Sequence, residues 1–146
     1  MTSDENPAKS AEAGIRRNID GIAEAINTQN LDLYGRLVTD DFVNMNTDVE
    51  GVVTSTVGRQ ARLDLLRAMF DRGPYGIEAK MNVTTVHADG NHAFAHVDGL
   101  LTLRAKAQGA AADAEVALDI YLTFVLRDGT WLGERSLGVE RSRTGG

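Results

Sequence analysis

The chain has 146 residues, a net charge of −6 and no cysteine, which suits one domain with its own core and excludes disulfides, thiolate metal sites and cysteine nucleophiles. The acidic balance excludes the basic footprint that nucleic acid or an anionic membrane surface demands. No run approaches the ~20 apolar residues of a membrane span, and the acidic first six residues lack the features of a signal peptide, so a cytoplasmic location is expected.

Residues 1–9 are expected to be disordered or frayed, with Asn6-Pro7 or Ser10 capping the first helix. Ile15, Ile19, Ile22 and Ile26 then recur at helical spacing and predict an amphipathic helix, ended by Asn27-Thr28-Gln29-Asn30. A short second helix buries Leu33, Tyr34, Leu37 and Val38. Phe42–Met45 and Val52–Val57 read as short strands. A third helix carries Leu63, Leu66 and Phe70 and stops at Gly73-Pro74. From Ile77 the apolar period becomes two, and Asp89-Gly90, the Ala105–Ala114 segment and Asp128-Gly129 divide the rest into a four-stranded antiparallel meander. The Ala105–Ala114 segment reads as a long, mobile hairpin loop. Helices followed by a meander predict an α+β fold in a single domain over 10–141, with 142–146 a flexible tail.

The two Asp-Gly turns impose registers. Two-residue turns pair His87 with His92, Val83 with His96 and Met81 with Asp98, so Ile77, Ala79, Met81, Val83, Phe94, His96, Asp98 and Leu100 share one face, expected to be the interior. At the second turn Arg127 pairs with Thr130, Thr123 with Glu134 and Tyr121 with Ser136. One face then carries Asp119, Tyr121, Thr123, Glu134 and Ser136, and the other carries Leu118, Ile120, Leu122, Phe124 and Trp131. Either the apolar face is core and the polar face meets water, or the polar face lines a pocket and the apolar face is a subunit interface. The pattern alone leaves both open.

Thr39-Asp-Asp-Phe-Val-Asn-Met45, Gly58-Arg59 and Leu66-Arg-Ala-Met-Phe70, followed by Ala93-Phe-Ala-His96 and Thr123-Phe-Val-Leu-Arg-Asp-Gly-Thr-Trp131, resemble SnoaL-like proteins of the NTF2-like superfamily. The resemblance is strongest to the branch found in enediyne and polyketide gene clusters. It implies a cone-shaped roll, three N-terminal helices packed on a curved antiparallel sheet. It also implies that Glu134 and Ser136 point into the cone, bringing Asp119, Tyr121 and Thr123 with them. The outer sheet face would then be a homodimer interface built on Leu118, Ile120, Leu122 and Phe124. Where a ketosteroid isomerase of this fold has its carboxylate base, this chain has Asn46, and where that enzyme has its first-helix tyrosine, this chain has Ile22. His96-Val97-Asp98 stands where an epoxide hydrolase of this fold has Arg-x-Asp, with Ser136 near its second aspartate.

His96 and Asp98, two apart on a strand, project to one side, as a proton-transfer pair requires. They are the candidate catalytic residues, with Tyr121 as donor to a developing oxyanion. Tyr34, Asn46, Met81, Phe94, Asp119, Glu134 and Ser136 are the candidate ligand-binding residues, and Asn44 could orient a ligand beside Asn46. His87 and His92 lack a clear third ligand, so no metal is expected. No phosphate-loop or dinucleotide motif occurs, so no cofactor is expected either. The expected function is a pocket for a small hydrophobic molecule, with cofactor-free isomerase, dehydratase, cyclase or epoxide hydrolase-like chemistry on a carbonyl compound. The alternative is a non-catalytic binding or assembly module.

Overall fold

The computed structural model describes residues 7–106 and 113–145. Helix α1 (Pro7–Thr28) presents the expected isoleucine stripe to the core, and Ile15 and Ile19 are wholly buried. Each such side chain contributes about 1.5–3 kcal/mol over leaving it in water. Gln29 leaves the helix at φ 56, and the Asn30 side chain accepts from Leu33 N–H at 3.0 Å to open the six-residue α2 (Leu31–Arg36). Strands β1 (Val38–Thr47) and β2 (Val53–Val57) form a hairpin, and α3 (Arg59–Arg72) follows. The chain closes with β3 (Tyr75–Asp89), β4 (His92–Ala105), β5 (Ala114–Arg127) and β6 (Thr130–Gly145).

The fold is α+β, three helices on one face of a curved six-stranded sheet in the order β2-β1-β6-β5-β4-β3. The expected meander forms β3 to β6, and β1 joins it by pairing parallel with β6. Helix α1 is present from Pro7, and β6 runs through the 142–145 stretch expected as a tail. Residues 1–6 of the expected frayed terminus, 107–112 of the expected loop, and 146 of the tail lie outside the described residues. No described helix is long and apolar enough to cross a membrane.

Three β-bulges set which side chains face inward. The turn at Asp128-Gly129 pairs Arg127 with Thr130 as expected, with both turn residues at positive φ. Five residues into β6, Glu134 is an extra residue between the pairs Phe124–Gly133 and Thr123–Arg135, and Arg141 is a second between Leu118–Glu140 and Ala117–Ser142. The first hairpin turns on Gly90 and Asn91, pairing Asp89 with His92 and His87 with Phe94. Thr84 is the extra residue there, so Val83 faces Val97 and Met81 faces Gly99. Each bulge reverses the parity of everything beyond it.

The register expected from uninterrupted two-residue turns is therefore corrected on two strands. Ile77, Ala79, Met81 and Val83 face inward as expected, but their partners are Leu103, Leu101, Gly99 and Val97, and Phe94, His96 and Asp98 point to the outer face. On β5 the apolar face is core. Leu118, Ile120, Leu122 and Phe124 pack with Ile15, Ile19, Ala95 and Val97 of the same chain beneath α1, so they form no homodimer interface. Their side chains meet a helix before any second subunit could reach them.

The helix is held to the sheet by polar staples as well as by apolar contact. The Asn18 amide donates to the Leu37 carbonyl at 2.9 Å and the Trp131 carbonyl at 3.0 Å. Asn27 donates to the Ala79 carbonyl at 3.0 Å and accepts from its N–H at 2.6 Å, tying the end of α1 to β3. Gly14 lets the Trp131 indole lie against the helix, since a Cβ there would stand 2.7 Å from Trp131 Cδ1. These contacts fix α1 across the sheet while leaving space toward β1 and α3.

Candidate functional site

A cavity of about 350 Å³ lies between the concave sheet face and the three helices, within the size range of small-molecule sites. Its walls are mainly apolar. Ile19, Ile22 and Ile26 of α1 face Leu118, Ile120 and Leu122 of β5, and Leu65 and Met69 of α3 close one side. The polar groups come from the strands that the β1–β6 pairing brings together. Asn44 lies beside Ser136 and Asn46 beside Gly138 in that parallel register, and all four line the cavity. Gly138 leaves room for the Asn46 side chain, since a Cβ there would stand 2.5 Å from Asn46 Oδ1.

Asn44 is only 5% exposed, and its side-chain amide has no hydrogen-bond partner among the described residues. The amide lines the cavity, so its donors and acceptor are open to whatever enters. Further along β6, Glu140 accepts from Arg143 Nε at 3.2 Å and Nη2 at 3.1 Å. The bulge at Arg141 is what places both on the cavity side. The Glu140 hydrogen bonds raise the already high Arg143 pKa, outweighing desolvation, so the guanidinium stays charged. On the helical wall, Arg62 Nε donates to Tyr34 Oη at 3.1 Å, and its guanidinium sits 5.8 Å from the Tyr34 ring centroid. Both line the same cavity.

Of the residues expected at the site, Tyr34, Asn46, Met81 and Ser136 line this cavity. His96, Asp98, Tyr121, Phe94, Asp119 and Glu134 do not; they lie on the opposite, outer side of the sheet. This corrects the expected placement: the extra residue Thr84 separates His96 and Asp98 from Val83 and Met81, and on β5 the apolar face is core, which leaves Asp119 and Tyr121 outside. The imidazole also takes a different partner. His96 Nε2 lies 2.8 Å from Asp119 Oδ1 on the neighbouring strand, and Thr84 Oγ1 bonds its Nδ1. Asp98 is held by Arg141 Nη2 at 2.6 Å, and Arg141 Nη1 reaches Asp119 at 3.3 Å. The bond to Asp98 raises the Arg141 pKa against desolvation. Phe94 and Tyr121 stack over this network with ring centroids 6.2 Å apart. It is a surface cluster of paired charges. His87 and His92 do not face each other, as they pair with Phe94 and Asp89.

Sequence reasoning missed Arg62, Glu140 and Arg143. Arg62 carried a signal, since it stands four residues before Leu66 on the buried face of α3. Glu140 and Arg143, three apart, would face opposite sides of a regular strand, and only the bulge unites them.

The profile of the SnoaL-like domain matches residues 19–133. The chain belongs to the SnoaL-like family. No curated protein matches its sequence. Among solved structures, a candidate scytalone dehydratase from Novosphingobium aromaticivorans is similar at 16% identity, with a TM-score of 0.77 over 93% of this chain and 87% of that one. A ketosteroid isomerase-like protein from Erwinia carotovora is similar at 20% identity and a TM-score of 0.73, over 89% and 95%. A type 3 hexachlorocyclohexane dehydrochlorinase from Novosphingobium barchaimii is similar at 16% identity and a TM-score of 0.74, over 93% and 90%. At these identities the likeness establishes the fold, the NTF2-like roll of this SnoaL-like chain.

Proposed function

We propose that the protein encloses a small, mainly apolar molecule in this cavity and holds its polar group with Asn44, Asn46 and Ser136. The observation that supports this most is the Asn44 amide, which lines the cavity and has no hydrogen-bond partner among the described residues. A carbonyl or hydroxyl of a bound molecule can take that amide's hydrogen bonds.

Cofactor-free proton transfer is the second part of this reading. Its support is Glu140, the carboxylate lining the cavity, together with neighbours named as a dehydratase, an isomerase-like protein and a dehydrochlorinase. For a bound ketone, a Glu140 oxygen takes the α-proton, and the C–H electron pair moves into the enolate. Negative charge then develops on the carbonyl oxygen, where the Asn44 amide N–H donates. Return of the proton from Glu140 completes the cycle without any external reactant.

Proton exchange in deuterated water tests both parts. With 2-tetralone and trans-1-decalone as probes, NMR should show saturable binding and accelerated α-deuteration by the unmodified protein. Glu140→Gln should keep binding and lose the acceleration. Binding without exchange would remove the catalytic part. Absence of binding by both ketones and by their alcohols would remove the proposal as a whole.

A further inference from the structure

The cavity carries an unbalanced charge. Its lining includes two guanidinium groups, Arg62 and Arg143, and one carboxylate, Glu140. Arg143 and Glu140 neutralise each other through their paired hydrogen bonds. Arg62 has no carboxylate partner among the described residues, and its single side-chain hydrogen bond is the one from Nε to Tyr34 Oη. The neighbouring arginine on α3 differs in this respect, since Arg59 is paired with Asp40 at 2.5 Å. One net positive charge therefore faces an apolar chamber in a protein whose overall charge is −6.

We infer that the molecule this cavity takes is an organic acid, an apolar skeleton bearing one carboxylate that the two Nη groups of Arg62 hold. The inference rests on the proposal that the cavity binds an apolar small molecule, and it names the class. Several features converge on it. Tyr34 is 3% exposed and packed edge-on against Phe42, so it is a rigid support for the guanidinium. Engaging Nε leaves the Nη1–Nη2 edge of the fork, whose spacing matches the two oxygens of a carboxylate. Arg62 is half-buried, so water screens it less than a surface arginine. The first turn of α3 contains no acidic residue, so the positive end of the helix adds to the same field. A second carboxylate would meet Glu140 or the apolar walls, which limits the ligand to one.

Calorimetric titration with naphthalene-2-acetic acid and its uncharged isostere naphthalene-2-acetamide reads this directly. The acid should bind about tenfold more tightly than the amide or better, the value of one charge-assisted pair. Arg62→Met should abolish that preference while changing amide affinity by less than about threefold. Arg62→Lys, which keeps the charge and loses the fork, should retain part of it. If Arg62→Met fails to give a cooperative melt, Arg62→Gln takes its place. Equal binding of acid and amide by the unmodified protein, or a preference that survives loss of the Arg62 charge, overturns the inference and leaves the cavity proposal standing. Failure of both naphthalene probes, of both ketones and of their alcohols to bind overturns the two together.

Discussion

At the scale of single residues, function follows from the side of the sheet a side chain occupies, and one position decides it against its neighbour. His96 is the residue whose chemistry drew most attention in the sequence, yet its ring bonds Asp119 and Thr84 on the outer face. His96→Gln should therefore leave ligand affinity in the cavity unchanged within about twofold, since sites on opposite faces without shared partners behave independently. Titration with 2-tetralone checks this, and a tenfold loss would place the binding site on the outer face. Asn46, Tyr34, Met81 and Ser136 line the cavity, Asn46 and Ser136 having been expected there from the family resemblance, Met81 from the apolar face of its strand and Tyr34 from the second helix. Ser136 reached the cavity although its expected companion Tyr121 did not. The extra residue at Glu134 separates them, so Ser136 pairs with Leu122 and Tyr121 with Leu137.

At the scale of elements, the helices and turns were readable because their signals are local. The isoleucine stripe of α1, the glycine after α3 and the Asp128-Gly129 hairpin each rest on a few consecutive residues, whereas the first hairpin turns one residue later than expected, on Gly90 and Asn91. Bulges have no such signature here. Thr84, Glu134 and Arg141 are ordinary strand residues, and the parity they change is set by how two strands fit over a curved core. The parallel contact of β1 with β6 was equally invisible, because nothing local announces a partner about ninety residues away in the chain. Asn18 shows how such distant elements are joined. Its amide bridges the Leu37 and Trp131 carbonyls from inside α1. Asn18→Ala should lower stability by about 1–2 kcal/mol, because it removes one buried and one part-buried hydrogen bond while Leu37 keeps its bond from Gly133 N–H. Urea unfolding gives the value, and a change below about 0.5 kcal/mol would mean that water replaces the amide fully.

At the scale of the whole molecule, the question is which side of the sheet is the interior, and β5 poses it most sharply. The sequence left two arrangements open, and the family resemblance favoured the polar face as pocket. Burial in the folded chain favours the other. Phe124 is fully buried, packed in the core with Trp131 and Ala93, whereas Tyr121, three residues earlier, is 38% exposed on the outer face. The physical reason is that α1 brings an apolar stripe that must be covered, and the apolar face of β5 is the surface that can cover it. A polar pocket face would have left the isoleucines of α1 against Asp119 and Tyr121, an arrangement disfavoured by desolvation of the carboxylate. Phe124→Ala should therefore cost about 3–5 kcal/mol, the penalty for emptying a packed aromatic site, and should lower Tm by well over ten degrees. Tyr121→Ala should cost only about 1 kcal/mol, because its ring loses partial stacking on Phe94 and leaves no cavity. Differential scanning calorimetry on the two variants compares the faces within one strand. A larger loss at Tyr121 than at Phe124 would invert the interior and exterior of the sheet, and with them the cavity, its arginine and the ligand class assigned to it.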